Sequence, residues 1–217
     1  VTASDADLAE HSGSSTHVGP PGYPELMPPC DTPRLRLREM TDDDLDEMSA
    51  LLGDPQVMEY YPHPKDRTEA AAWIRWNRRN YAEHGFGLWI VETHKGEFLG
   101  DCGLTWQTVN GTPHLEVGFH VQPSAQGNGF ATEAALACVD HARELEVAAV
   151  LVAVIHRDNR PSQRVAGKLG MQRNPELRHR SPVHEVFSLD LGTPTAKLPA
   201  TRRRPRYLAR GCTAAVR

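Results

Sequence analysis

A chain of 217 residues with 39% hydrophobic content and 17 each of Pro and Gly is one domain with tails rather than several domains. Its formal charge of −4 is uneven: residues 1–33 carry five acids and no Lys or Arg, while residues 191–217 carry seven Lys or Arg and no acid. Four well-separated cysteines exclude a zinc motif and a disulfide framework, and no apolar stretch approaches the ~18 residues of a membrane span.

Residues 1–33 are rich in Ser, Gly, Pro and His and show little periodicity, which predicts a flexible extension. They have neither the basic start nor the apolar core of a signal peptide, so a cytoplasmic protein is expected. His11 and His17 read as solvated side chains, and no metal is expected. Arg34–Arg38 alternates Arg with Leu, the pattern of a strand with one buried face. Thr41 followed by three Asp residues caps a helix running to about Leu52, which Gly53-Asp54-Pro55 stops. Arg67–Tyr81 reads as a second helix. Tyr60, Tyr61, Trp73, Trp76 and Tyr81 are candidates to line a pocket, with a core role as the competing reading for both Trp residues.

Gly87–Val91 and Phe98–Trp106 read as an antiparallel pair turning at Thr93–Gly96. Asn110-Gly111 is the clearest hairpin signal in the chain and leads into the alternating strand Leu115–Val121. A helix is predicted from Ala131 to about Glu144, and the apolar run Val147–Ile155 reads as a buried central strand. Asn159–Leu169 is a short helix ended by Gly170, and Glu185–Leu189 is a last strand. The tail from Leu191 holds four basic residues within Arg202–Arg206; a solvated end is favoured over weak contact with nucleic acid.

Between strand and helix lies Gln126-Gly127-Asn128-Gly129-Phe130-Ala131. Two glycines there let backbone N–H groups point outward at a helix N-terminus, which reads as an anion site, most simply for a phosphate, with a glycine-rich turn that binds nothing as the competing reading. It is not a Walker A loop, because no Lys-Ser or Lys-Thr follows. It is not a dinucleotide fingerprint either, because Thr132 stands where the third Gly would be.

Gln126-x-x-Gly129-x-Ala131 resembles the acetyl-CoA pyrophosphate loop of the GNAT superfamily of N-acetyltransferases. The longer string Gly127–Ala134 is similar to the ribosomal-protein N-terminal acetyltransferase branch, as are Arg34–Arg38 with its acidic follow-on and Asn159–Met171. The resemblance covers roughly residues 34–190. It implies a mixed α/β fold with a central, mostly antiparallel sheet, flanking helices and a splayed cleft for acetyl-CoA. Residues 1–33 and 191–217 would then be an N-terminal extension and a basic C-terminal tail.

By that resemblance Phe119, His120 and Val121 offer backbone to the pantetheine arm. Gln126, Gly127, Asn128, Gly129, Phe130, Ala131 and Thr132 hold the pyrophosphate, and Asn159 and Ser162 lie near the arm and the thioester. The acceptor, a protein N-terminus or a small-molecule amine, would meet Tyr60, Tyr61, Trp76 and Glu116. Glu116 and His120 are the candidate bases, Glu116 first, since a buried Glu can rise toward neutrality and His has a suitable pKa unaided. Many relatives carry a Tyr acid where this chain has Ala166, which makes Ser162 the candidate substitute. Cys102 and Cys138 sit in apolar runs as packing groups, so direct attack in a ternary complex is expected. A catalytically weak acetyl-CoA sensor, or a ribosome or RNA interaction protein, is the alternative. The resemblance leaves a homodimer open.

Overall fold

The computed structural model describes residues 28–192; His11, His17 and Arg202–Arg206 lie outside them. Leu35–Arg38 forms β1, burying its two Leu side chains. Thr41 opens a 3-10 turn, Asp42–Asp44, which passes into α1 (Leu45–Gly53). Asp66 and Glu69 cap α2 (Arg67–His84) reciprocally, each carboxylate accepting the other's backbone N–H at 2.8 Å. The helix runs past the expected end at Tyr81 because its stop is Gly85, left-handed at φ 78°. There follow β2 (Leu88–Thr93), β3 (Phe98–Val109), β4 (Thr112–Val121), α3 (Phe130–Leu145), β5 (Val150–His156), α4 (Arg160–Lys168), β6 (Gln172–Arg173) and β7 (His184–Asp190). The expected strand from Val147 starts only at Val150. The helix before it ends at Glu146 in a left-handed conformation, φ 51°, which leaves Val147 47% exposed.

The strands form one sheet in the order β1-β2-β3-β4-β5-β7-β6, antiparallel at every step except β4 to β5. This is the expected mixed, mostly antiparallel sheet flanked by helices. Asn110 and Gly111, at φ 51° and 75°, make the turn with two positive φ values whose twist suits a hairpin. From it β3 and β4 pair without a slip, from Val109↔Thr112 to Gly100↔Val121. Asp101 therefore faces His120, and Thr105 faces Glu116.

All four point to one side of the sheet, and alternation along the strands sends their chain neighbours, such as Cys102, to the other. On one side Cys102 Sγ lies 3.6 Å from Cys138 Sγ of α3, and Trp89 meets the His141 ring edge-on at 5.5 Å. On the other, Trp73 of α2 donates from Nε1 to Asp101 Oδ2 at 3.2 Å. Trp73 and Trp89, at 0% and 1% exposure, anchor the packing on the two sides.

Candidate functional site

The parallel pair β4–β5 is in register only at Leu115↔Leu151 and Glu116↔Val152. Both strands continue, β4 to Val121 and β5 to His156, so they diverge beyond Glu116. Phe119, His120 and Val121 lie on the diverging part of β4, and the turn into α3 follows directly.

That turn is shaped by its own side chains. Gln126 Nε2 donates to Val121 O at 3.0 Å, and Asn128 Nδ2 donates to Ala125 O and Gln126 O at 3.2 Å each. Gly127 and Gly129 hold φ of 79° and 82°, the left-handed region that suits glycine, and Gly129 is the N-cap of α3. The first N–H groups of α3, from Phe130, Ala131 and Thr132, have no acceptor within the helix, and the helix dipole adds positive potential. From outside, Arg34 Nε donates to Glu133 Oε2 at 2.6 Å, Arg34 NH1 donates to Asn128 O at 3.0 Å, and the guanidinium covers the Phe130 ring at 4.6 Å. Thr32 Oγ1 adds a bond to Glu133 Oε1 at 2.6 Å. Burial pushes the Glu133 carboxyl up, but the bonds from Thr32 and Arg34 outweigh it and hold it below its usual range. N–H groups without helical acceptors beside a gap between strands are chemically suited to an anion.

Glu116 stands where the strands begin to part, 1% exposed, with Oε1 accepting from Val154 N at 3.1 Å. Burial pushes its carboxyl up to about 7, against the smaller opposing pull of the Val154 N–H and the Gln107 amide. It bridges the gap and is poised to titrate near neutrality.

Two positions along β4, His120 belongs to a row of bonded side chains. Asp101 Oδ1 accepts from the backbone N–H of His120 at 3.1 Å and from its Nδ1 at 2.7 Å. Trp73 Nε1 holds the other carboxylate oxygen, and Asp101 is 0% exposed. With its proton on Nδ1, the imidazole presents Nε2 as an acceptor, and the Tyr61 hydroxyl lies 2.6 Å from it. Carboxylate, imidazole and phenol thus form a line from the core to the half-buried Tyr61.

The remaining candidates scatter. Tyr60 packs on His156 at 5.1 Å between ring centres, and half-buried Trp76 packs on Trp73 at 5.3 Å. Tyr81 is not a pocket residue. It is buried, with its hydroxyl donating to Leu88 O and accepting from Met40 N at 3.2 Å, and burial raises its pKa. Asn159 caps α4, accepting from Ser162 N at 3.0 Å, and half-buried Ser162 starts that helix. Ala166 is buried, and burial raises the Cys102 thiol well above its usual range. Asp101, Arg34 and Glu133 escape sequence reasoning. For Asp101 a signal exists: counting back from Asn110-Gly111 in a two-residue hairpin places it opposite His120. Arg34 and Glu133, 99 residues apart, give none.

Among the described residues no helix is long and apolar enough to cross a membrane, and no group of three or more His, Cys, Asp or Glu could hold a metal ion. Residues 34–172 match the family model of the acetyltransferase (GNAT) domain. The chain is 40% identical over 149 residues to the uncharacterized protein YkkB of Bacillus subtilis (strain 168), covering 68% of this chain and 87% of that one. It is similar in structure to the acetyltransferase of Agrobacterium tumefaciens str. C58, with a TM-score of 0.68 and 24% identity over 75% of this chain and 94% of that one. It is also similar to RimL, a ribosomal L7/L12 α-N-protein acetyltransferase solved with coenzyme A, with a TM-score of 0.59 and 14% identity over 75% and 97% of the two chains.

Proposed function

This chain belongs to the GNAT acetyltransferase family, and from that premise we propose that it transfers the acetyl group of acetyl-CoA to a primary amine by direct attack in a ternary complex. The observation that carries the amine chemistry is the Asp101–His120–Tyr61 row, running from buried Asp101 to half-buried Tyr61 beside the gap between β4 and β5. We propose that residues 34–190 form the catalytic domain between an N-terminal extension and a basic tail. Coenzyme A in the RimL structure supports the cofactor, while identity at that level bears on the fold alone. The ribosomal-protein branch stays a proposal resting on the strings Gly127–Ala134 and Arg34–Arg38.

Acetyl-CoA supplies an activated thioester carbonyl. The backbone of Phe119, His120 and Val121 would align its arm, and the N–H groups from Gln126, Gly127, Asn128 and Gly129 to Thr132 would hold its phosphates. The amine must lose a proton as it attacks. We place the base role on His120, because its Nε2 is directed at the hydroxyl of Tyr61, whereas the Glu116 carboxylate already accepts from Val154 N. Tyr61 passes its proton to Nε2 as it takes one from the amine, and Asp101 holds the imidazole in the receiving tautomer. The C–S bond breaks as the C–N bond forms, and Ser162 is the candidate to protonate the departing thiolate.

The test is free thiol release from acetyl-CoA over a panel of N-terminal peptides and small amines, using wild type, His120→Asn and Glu116→Gln. The expected result is turnover on one amine class, lost in His120→Asn and largely kept in Glu116→Gln. Loss in Glu116→Gln alone would move the base role to Glu116. Tight acetyl-CoA binding without thiol release on any amine would overturn the transferase reading.

A further inference from the structure

His156 and His184 are cross-strand partners on β5 and β7, on the sheet face that carries Glu116 and His120. Below that face the chain between β6 and β7 folds back, and Leu177 packs on Val109, Val152, Val154 and Val186. It is held at both ends. Asn110 Nδ2 donates to Glu176 O at 2.9 Å, Asn110 and Arg178 exchange two further bonds at 2.9 and 3.0 Å, and Arg157 N donates to Val183 O at 2.9 Å. The segment lines a half-open cavity of about 420 Å³, walled by Arg157, Arg173, Arg178, Arg180, His179 and His184.

Charge in this cavity is one-sided. Glu185, the one carboxylate in the wall, is taken by Arg173 at 2.8 Å. Arg157 donates to Pro182 O at 3.1 Å, and among the described residues neither Arg157 nor Arg178 has a carboxylate within ion-pair distance. Both ring nitrogens of His184 are buried and find no partner among the described residues. Burial first, then the neighbouring His179 and His156, push His184 down to about 4, so the positive charge here comes from arginine. A chain of ring contacts connects the cavity wall to the proposed proton path. The His184 ring lies 5.5 Å from His156, His156 lies 5.1 Å from Tyr60, and the next residue, Tyr61, reaches His120.

We propose that this cavity is the acceptor's anion subsite: the enzyme acetylates a small amine that bears a carboxylate or a phosphate, with the amine at Tyr61 and the oxyanion between Arg157 and Arg178. Planar guanidinium groups fit either oxyanion, and the segment that carries them is anchored at Asn110 and Arg157. The identity of the acceptor rests on the transferase reading above, but the subsite itself does not.

Two measurements separate them. The first is calorimetric titration of the whole chain with inorganic phosphate, with and without saturating coenzyme A, for wild type, Arg157→Gln and Arg178→Gln. The expected result is phosphate binding that survives coenzyme A and weakens about tenfold in each variant. Binding that vanishes under coenzyme A would assign these arginines to the cofactor, and binding equal in all three proteins would remove the subsite; either outcome overturns the proposal. The second compares alkylamines matched in length and ending in carboxylate, phosphate, hydroxyl or ammonium. The ratio of kcat/KM for the anionic amines over the hydroxyl amine should be large in wild type and fall toward one in Arg178→Gln. Comparing the carboxylate and phosphate arms names the oxyanion. A ratio near one in wild type would overturn the acceptor assignment. If no amine is turned over, the transferase reading fails, while the phosphate titration still judges the cavity.

Discussion

The two halves of the candidate site are built differently. The proposed cofactor half is a contiguous run, Gln126–Thr132, whose working groups are backbone N–H donors set by two left-handed glycines and the start of α3. The proposed acceptor half is assembled from side chains on separate elements: Tyr61 before α2, Trp73 on it, Asp101 on β3, and Glu116 and His120 on β4. Backbone donors tolerate many side chains so long as the chain can take the required φ and ψ. A row of buried polar side chains fails when any one member is wrong, because its neighbours are then left unpaired in a low dielectric. One half should answer to backbone strain and the other to single-atom changes in side chains.

The sharpest break is expected at Asp101→Asn. The amide is nearly isosteric but has one acceptor oxygen where Asp101 uses two, so its NH₂ must face either the Trp73 N–H or His120 Nδ1, and the imidazole is no longer held to receive the Tyr61 proton at Nε2. Turnover should fall about 10²-fold with coenzyme A affinity unchanged, measured by steady-state kinetics beside equilibrium binding. A parallel loss of cofactor affinity would show that the two halves are not separable.

Glu116 offers a test through stability. Its carboxyl is pushed up to about 7 by burial, from an ordinary 4.5. Below pH 4.5 folded and unfolded chains both hold the proton, and the group contributes nothing. Between 4.5 and 7 the unfolded chain has released it while the folded chain keeps it, so stability falls as pH rises. Above 7 the full penalty stands, about 3 kcal/mol. Glu116→Gln should therefore gain on wild type between pH 4.5 and 7, in urea melts at matched pH. A gap that does not change with pH would mean that Glu116 titrates alike in the folded and unfolded chains.

The smallest expected effect lies in the loop. Gly129→Val forces a β-branched residue to φ 82° at a cost of about 1–2 kcal/mol, enough to weaken coenzyme A binding about tenfold. Unfolding by heat should shift little if the loop relaxes, because Gly129 is exposed. Unchanged coenzyme A affinity would break the backbone account of that half.

Much of this was legible beforehand for reasons of locality. The alternation in Arg34–Arg38 and Leu115–Val121, the acidic cap at Thr41 and the Gly127–Gly129 turn are decided by neighbours within a few residues, so they can be read without a fold. Asn110-Gly111 reaches further, because a two-residue hairpin turn dictates every pair along β3 and β4, the Asp101–His120 pair included. Other features had no local cause. Two-residue β6 is too short to leave a period, and Tyr81 looked like a pocket aromatic until its hydroxyl met Met40 and Leu88.

By itself, then, the sequence determined the strand–turn–helix of the anion loop, the order of most elements and the family resemblance, since short-range φ and ψ preferences and periodicity govern those. Tertiary structure alone decided which residues meet: Arg34 with Glu133, Trp73 with Asp101, Tyr61 with His120, and four arginines around one cavity. Those contacts depend on how the sheet twists, where β4 leaves β5, and which face each helix covers, and these follow from packing the whole chain at once.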